Sequence, residues 1–203
     1  MVYLGFTMTP NEEKQFSFRV IAGELKGRNI VAPDLGVTRP PLTRLRKSIF
    51  DFLSPYLRDC TYLDLFSGTG SYLFEAVSRG ASEAVGVETE DRLVSSIVGQ
   101  AEKYGVADRL SCVCDDVFDV IPRLAEQGKG FDIIMMAPPQ YLRLVEKTLR
   151  VLRQHPILAS DGLLLCQHES GIRNKIDFSE WETAQQRKYG NTTFSVLRWP
   201  SSL

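Results

Sequence analysis

Several features of secreted and membrane proteins are missing from this sequence. No apolar run approaches the about 20 residues that a membrane-spanning helix needs. The first segment, MVYLGFTMTPNEEK, has neither a positively charged start nor a continuous apolar stretch, which argues against a signal peptide. We therefore expect a cytoplasmic protein in which residues 1–17 form a flexible tail.

The chain also has few residues of the kinds that bind metals or form disulfides. It contains four cysteines and two histidines, and no two cysteines form a C-x-x-C pair. Each cysteine falls in or beside a predicted buried strand, where a reduced thiol behaves as a small apolar side chain. The pattern indicates neither a disulfide nor a metal site. The residues concerned are Cys60, Cys112, Cys114, Cys166, His155 and His168.

The charge is close to balanced over the whole chain but unevenly distributed along it. The 203 residues carry a net charge of −1, while residues 19–47 hold seven cations and two acids, so that segment is +5 and the remainder −6. This asymmetry favours a basic surface that faces a polyanion. A solvated basic face without such a partner is the alternative. The seven cations are Arg19, Lys26, Arg28, Arg39, Arg44, Arg46 and Lys47.

The N-terminal third predicts a small hairpin followed by a helix. SFRVIAGELKGRNIVAP has two short alternating runs separated by glycine-containing turns, which is typical of a β-hairpin. In LTRLRKSIFDFL, residues 42–53, the helical period places Arg44 and Lys47 outward. The inward stripe is Leu42, Leu45, Ile49, Phe52 and Leu53.

The rest of the chain alternates between strand and helix patterns. Apolar strands separated by helices predict an α/β fold, a parallel sheet covered on both faces. Gly190-Asn191 between two alternating segments adds a terminal hairpin with antiparallel pairing at one edge. The predicted strands are 61–66, 84–88, 110–114, 131–136 and 162–168, and the predicted helices are 71–80, 90–105, 117–128 and 141–154.

A glycine-containing loop follows the first strand of this sheet. In DLFSGTGS, residues 64–71, Gly68 and Gly70 allow a tight turn and a close approach to a ligand. A dinucleotide fingerprint needs a third glycine, where this chain has Leu73, so a bound pyrophosphate is disfavoured. Asp64 at the strand end is suited to accept a hydrogen bond from a cationic amine, and a role as a cap is its alternative.

Further carboxylates follow the next two strands. Glu88 lies 20 residues after Gly68, where a carboxylate typically binds the hydroxyls of an adenosine ribose. Asp116, or its neighbour Asp115, can reach an adenine amino group, and either residue can instead cap the following helix. Together with Asp64, these positions describe a pocket for an adenosine with a charged amino-acid tail and no phosphate, which is S-adenosylmethionine (SAM).

The fourth strand, FDIIMM, ends in Ala137, Pro138, Pro139, Gln140 and Tyr141. An apolar strand that closes on two prolines at this edge predicts the place where a substrate is held. In a methyltransferase pocket the residue before the prolines should be a carboxylate or an amide, and here it is alanine.

Several of these segments together resemble the RsmD family, the 16S ribosomal RNA guanine-N2 methyltransferases. They are RVIAGELKGR, TRPPLTRLRKSIFDFL, LDLFSGTGSYLFEAVSRGA, VGVETE and FDIIMMAPP, and the resemblance runs from about Phe18 to Trp199. It implies a class I, Rossmann-like methyltransferase fold with a seven-stranded sheet whose last strand is antiparallel. The implied division is the tail 1–17, a β-hairpin extension 18–41 and a methyltransferase domain 42–203.

The resemblance also implies roles for individual residues. The residues that it assigns to SAM binding are Asp64, Phe66, Gly68, Gly70, Glu88 and Asp116. It places Arg39 near the cofactor or the RNA. The implied partner is ribosomal RNA or a partly assembled small subunit, contacted by Arg19, Lys26, Arg28, Arg44, Arg46 and Lys47.

The chain departs from the family pattern at three positions. The family carries Asp-Pro-Pro-Tyr or Asp-Pro-Pro-Phe where this chain has Ala-Pro-Pro-Gln from Ala137, an acid at the position of Thr43, and a glycine at the position of Leu73. The family acid and a proline carbonyl accept the two hydrogens of the target amine, and the aromatic ring stacks on the target base.

With Ala137, the carbonyl of Pro138 remains as the acceptor. Gln140 and Tyr141 are hypothetical replacements for the amine acceptor and the stacking ring, and the alternative is that they only open the next helix. The sequence thus predicts an active RNA methyltransferase, with two other possibilities left open. One is a weakened or inactive relative that binds SAM or RNA as a binding or assembly factor, and the other is a different enzyme on the same fold.

Overall fold

The computed structural model describes residues 14–36, 43–139, 144–171 and 176–200. Within these ranges it contains nine strands and five α-helices. None of the described helices is long and apolar enough to cross a membrane. Three candidate site residues lie outside the described ranges: Arg39, Gln140 and Tyr141.

The described chain starts with a two-stranded antiparallel sheet, which confirms the predicted hairpin. Strand β1 is Gln15–Arg19 and strand β2 is Asn29–Pro33. Gly23 and Gly27, in the connection, have φ angles of +85° and +81°. Glycine adopts this left-handed conformation without the steric penalty that a Cβ brings.

Helix α1, described from Thr43 to Leu53, follows the hairpin and ends in a 3₁₀ turn at Ser54–Tyr56. Its buried face differs in part from the predicted stripe. Phe50 is fully buried, whereas Phe52 is only half-buried. Leu42 lies outside the described residues, and the remaining stripe residues Leu45, Ile49 and Leu53 are buried as predicted.

Seven strands form the central sheet, in the order β5-β4-β3-β6-β7-β9-β8. Strands β3 to β7 are parallel, and β9 runs antiparallel to both of its neighbours. This arrangement confirms the predicted mostly parallel sheet with an antiparallel last strand. The strands β3 to β9 are Thr61–Asp64, Glu83–Glu88, Leu110–Cys114, Phe131–Met136, Leu158–Glu169, Glu182–Tyr189 and Thr192–Arg198.

Helices cover both faces of this sheet and create two apolar cores. Successive side chains of a strand point to opposite faces. Accordingly, Ile133 and Met135 of β6 lie in the first core, with α1, α2 and α3. Ile134 and Met136 lie in the second core, with α4 and α5. Helices α2 to α5 are Ser71–Ser78, Asp91–Lys103, Val117–Glu126 and, as described, Leu144–Gln154.

Two strand boundaries differ from the predicted ones by more than one residue. Strand β3 ends at Asp64, two residues early, because the chain already turns there into the glycine loop. Strand β7 begins at Leu158, four residues before the predicted start. A shift of register between Phe131 and Ile133 of β6 accommodates the longer β7.

The cysteines are less uniformly buried than the strand pattern predicts. Cys60 and Cys166 are buried and Cys112 is half-buried, but Cys114 is exposed. The reason is that β5 is an edge strand, so its end is open to solvent. Among the described residues, no three His, Cys, Asp or Glu side chains are placed to hold a metal ion.

The β1–β2 connection docks on the end of α2 through hydrogen bonds to Ser78. The Glu24 amide donates to the Ser78 carbonyl at 2.8 Å, and the Leu25 amide donates to the Ser78 hydroxyl at 3.0 Å. A Cβ on Gly23 would lie 1.6 Å from the Ser78 carbonyl oxygen, so only glycine fits there. The small sheet is therefore fixed against the helix that follows the glycine loop.

Candidate cofactor and substrate site

The glycine loop turns between β3 and α2 as its sequence predicts. Gly68 and Gly70 have φ angles of 51° and 76°, and the Gly70 amide donates to the Ser67 carbonyl at 2.8 Å. Ser67 in turn donates its hydroxyl to the Asp64 carbonyl at 3.1 Å. This turn leaves the amino end of α2 facing the carboxyl edge of the sheet, where open α/β sheets bind ligands.

Asp64, the last residue of β3, is the most unusual ionisable group of this loop. Its side chain is buried; Oδ1 accepts a hydrogen bond from the Phe66 amide at 3.4 Å, and Oδ2 has no partner among the described residues. Burial raises the pKa of Asp64 from 3.8 to about 7, and the negative charge of Glu88 adds to the rise. A cationic group that entered here would satisfy Oδ2.

Glu88, at the end of β4, is held in place by backbone amides. Its Oε2 accepts a hydrogen bond from Gly68 at 2.7 Å, and its Oε1 accepts from Thr89 at 2.8 Å and Glu90 at 3.1 Å. The carboxylate therefore ties β4 to the glycine loop. Both lone pairs of Oε1 are used by these amides, whereas Oε2 accepts one hydrogen bond and keeps one lone pair for a ligand hydroxyl.

The pair Asp115 and Asp116 has local partners. Asp116 is the N-cap of α4 and accepts a hydrogen bond from the Phe118 amide at 2.8 Å. Asp115 pairs with Arg123 at 2.8 Å, and this hydrogen bond lowers the pKa of Asp115. Capping is thus what the Asp116 side chain does here, and contact with an adenine remains a prediction.

Leu73 occupies the position of the absent third glycine, and a strand glycine makes room for it. A Cβ on Gly86 of β4 would lie 2.6 Å from Leu73 Cδ1 and 2.6 Å from Ser67 Oγ. In dinucleotide-binding folds the third glycine lets helix and strand pack closely. Here the close approach comes from Gly86 on the strand, so Leu73 does not prevent α2 from packing on the sheet.

The segment after β6 starts at the predicted place. Ala137 is half-buried and packs against the first core, Pro138 is buried and Pro139 is exposed. Close to this segment, the Tyr72 hydroxyl donates to Gln167 Oε1 at 2.7 Å. Sequence reasoning missed both residues, although Gln167 lies near the end of a predicted strand, as Asp64 and Glu88 do.

Five residues of the predicted basic face are exposed in the structure. Lys47 also forms an ion pair with Asp51, one helical turn later. Arg28 lies with its guanidinium 5.7 Å from the centre of the Tyr104 ring. The exposed residues are Arg19, Lys26, Arg28, Arg44 and Lys47.

Arg46 is different, and its prediction as an RNA contact is wrong. Its side chain is 1% exposed and Nε lies 3.4 Å from Oε1 of the fully buried Glu75. Nη2 donates to the Arg19 carbonyl at 2.7 Å, and the guanidinium lies 4.9 Å from the centre of the Phe18 ring. Burial lowers the pKa of Arg46. This residue joins α1 to β1 and α2 inside the protein.

Known proteins resemble this chain over nearly its whole length. A family model described as "Conserved hypothetical protein 95" matches residues 18–198. The Escherichia coli K12 protein named ribosomal RNA small subunit methyltransferase D is 31% identical over 191 residues, which cover 93% of this chain and 93% of that protein.

Solved structures share the fold. The structure titled "Putative methyltransferase yhhF from Escherichia coli" has a TM-score of 0.80 at 24% identity and covers 91% of this chain and 98% of its own. An RNA methyltransferase from Salinibacter ruber, in complex with S-adenosyl-L-homocysteine, has a TM-score of 0.61 at 18% identity and covers 81% and 96%. The fold is therefore that of class I methyltransferases.

Proposed function

Because this chain belongs to the conserved hypothetical protein 95 family, the RsmD-like family, we propose that it is a SAM-dependent methyltransferase acting on small-subunit ribosomal RNA. The acceptor atom in this proposal is N2 of a guanine. The reaction takes place in the cytoplasm, on the naked RNA or on a partly assembled subunit.

The observation that best supports SAM is the buried Oδ2 of Asp64, which has no partner in the described chain and lies beside the glycine loop. The cationic amino group of SAM supplies the missing hydrogen-bond donor and charge. When bound, SAM supplies a methyl group on a positively charged sulfur. In the proposal Phe66, Gly68 and Gly70 line the cofactor, Glu88 accepts from the ribose hydroxyls, Asp116 lies near the adenine, and Arg39 lies near the cofactor or the RNA.

The substrate side of the proposal uses the segment after β6. Pro138 and Pro139 form the wall over which the target base is placed, and the Pro138 carbonyl accepts one amine hydrogen. Gln140 and Tyr141, which lie outside the described residues, stay in the proposal as candidate contacts to the target base. The extension, residues 18–41, and the methyltransferase domain, residues 42–203, both contact RNA, through Arg19, Lys26, Arg28, Arg44 and Lys47. Arg46 has no part in this contact, because it is buried.

The test is a methyl-incorporation assay with labelled SAM and small-subunit ribosomal RNA from cells that lack the gene. The wild-type protein should transfer label, and Asp64→Asn should weaken SAM binding by about tenfold to a hundredfold, since hydrogen bonds to charged groups contribute about 1.5–3 kcal/mol. Asp161→Asn, an exposed acid on β7, is the matched control and should behave as wild type. SAM binding without transfer to any ribosomal RNA would contradict the proposal.

A further inference from the structure

Strand pairing places Gln167 directly beside Ala137. Strands β6 and β7 are parallel, with Met136 aligned to Cys166. Strand β6 ends at Met136 while β7 continues to Glu169, so Gln167 is the β7 residue next to Ala137. Met136 and Cys166 belong to the second core. Because side chains alternate along a strand, Ala137 and Gln167 face the first core. The packing of Ala137 agrees with this assignment.

Tyr72 fixes the orientation of the Gln167 amide. Tyr72 is the second residue of α2 and its side chain is 4% exposed. Its hydroxyl donates to Gln167 Oε1 at 2.7 Å. Burial raises the pKa of Tyr72 above its ordinary value, so the hydroxyl keeps the proton that it donates. A carbonyl oxygen has two lone pairs, and one of those on Oε1 remains available.

Methylation of an exocyclic amine requires hydrogen-bond acceptors for both amine hydrogens. The lone pair of an exocyclic amine is delocalised into the ring, and acceptors on its two hydrogens free it and hold the nitrogen in line. In the proposed function, one acceptor is the Pro138 carbonyl. The chain lacks an acid at Ala137, while Gln167 offers an amide oxygen on the adjacent strand, half-buried at the same edge.

We propose that Gln167, oriented by Tyr72, accepts the second hydrogen of the target amine in place of the carboxylate that is absent at Ala137. This inference rests on the proposed function. The nitrogen–carbon bond forms as the carbon–sulfur bond breaks, the electron pair of that bond stays on sulfur, and the proton that the amine then loses passes to water. Gln167 is a catalytic residue and Tyr72 a positioning residue.

Steady-state kinetics on transcribed small-subunit ribosomal RNA test this assignment. Gln167→Leu should lower kcat by about 10²–10³, the effect of removing one preorganised group in other enzymes. The KM for SAM and the calorimetric affinity for S-adenosylhomocysteine should stay as in wild type. Tyr72→Phe should lower kcat less, by about tenfold, because the amide remains but can rotate. Gln127→Leu, an exposed residue at the end of α4, is the matched control.

A second-site change separates a chemical role from a structural one. Adding Ala137→Asp to Gln167→Leu restores an acceptor on the neighbouring strand, and kcat should recover at least tenfold. A Gln167→Leu protein with wild-type kcat would overturn the inference, as would full loss of kcat on Gln140→Leu alone. If Gln167→Leu lowers the melting temperature and Ala137→Asp does not restore kcat, Gln167 has a structural role, and the inference is overturned as well. Absence of transfer by the wild type would instead defeat the proposed function.

Nuclear magnetic resonance gives a readout independent of turnover. In ¹⁵N-labelled protein with S-adenosylhomocysteine, guanosine 5′-monophosphate should shift the side-chain amide signal of Gln167. Inosine 5′-monophosphate, which lacks the 2-amino group, should leave that signal in place. Equal shifts with both nucleotides would contradict a contact with the amine.

Discussion

At the scale of single residues, Asp64 combines full burial with an ionisable carboxyl group, and this combination has a measurable pH dependence. Its pKa is about 7 in the folded protein and 3.8 ordinarily, mainly because burial disfavours the charged form. Between these two pH values the folded protein holds a proton that the unfolded chain has lost. The contribution of Asp64 to the free energy of unfolding therefore falls as the pH rises through this window.

We predict that the free energy of unfolding of wild type, relative to Asp64→Asn, decreases between pH 3.8 and about 7. Chemical denaturation of both proteins at several pH values measures this difference. Since a bound ammonium group favours the ionised carboxyl, SAM binding should release a proton in the same range, as seen by calorimetry in buffers of different ionisation enthalpy. Parallel pH profiles for the two proteins would contradict a raised pKa.

At the scale of secondary-structure elements, the contact between the β1–β2 connection and α2 fixes the position of the N-terminal extension relative to the methyltransferase domain. A Cβ added to Gly23 would lie 1.6 Å from the Ser78 carbonyl oxygen, whereas a Cβ added to Gly27 would have no atom within 4 Å. Both have left-handed φ angles, so alanine at either position carries a conformational penalty of about 1–2 kcal/mol. Only at Gly23 does the methyl group also displace an element.

We predict that Gly23→Ala lowers the free energy of unfolding by more than Gly27→Ala does and weakens RNA binding, while SAM binding is retained. Denaturant melts, filter binding of ribosomal RNA and calorimetry with SAM provide the three measurements. Equal destabilisation by the two substitutions would show that the docking on Ser78 contributes nothing beyond the backbone conformation.

Helix α1 carries two neighbouring cations with opposite surroundings. Arg46 is 1% exposed and paired with Glu75, while the side chain of Lys47 is 60% exposed. Removing one member of a buried ion pair destabilises a protein by about 3–5 kcal/mol. The lower end applies here, because Arg79 keeps an ion pair with Glu75 at 3.1 Å.

We predict that Arg46→Leu lowers the free energy of unfolding by about 3 kcal/mol. Lys47→Leu should change the free energy of unfolding by less than about 1 kcal/mol. It should weaken RNA binding and lower the slope of log K against log salt concentration by about one, the loss of one released counterion. Denaturant melts and binding isotherms at several salt concentrations measure both effects. A salt slope unchanged by Lys47→Leu would remove this residue from the RNA surface.

At the scale of the whole molecule, the alternation of apolar strands with helices was sufficient to predict the parallel sheet. The antiparallel pairing at its edge was indicated by the Gly190-Asn191 turn, and the antiparallel last strand of a seven-stranded sheet was implied by the resemblance to the RsmD family. Hydrophobic periodicity is a local property, and a parallel sheet follows from it once helices separate the strands. The glycine loop and the carboxylates at the ends of β3 and β4 were also predictable, because strand ends meet at one edge.

What escaped prediction depends on contacts between distant segments. Arg46 reads as a surface cation in the sequence, and its burial follows from Glu75 on another helix. The Tyr72–Gln167 hydrogen bond joins residues 95 positions apart. Cys114 reads as buried, and its exposure follows from the place of β5 at the sheet edge. A local sequence pattern contains neither the contacts between distant residues nor the order of the strands in the sheet.

The proposed reaction, methylation of guanine N2 in small-subunit ribosomal RNA, leaves a product that can be detected directly. The most direct measurement is mass spectrometry of nucleosides from that RNA, taken from cells lacking the gene and incubated with the purified protein and SAM. We expect N2-methylguanosine to appear with the wild-type protein and to be strongly reduced with Gln167→Leu. An unchanged nucleoside profile, with SAM binding intact, would contradict the proposal.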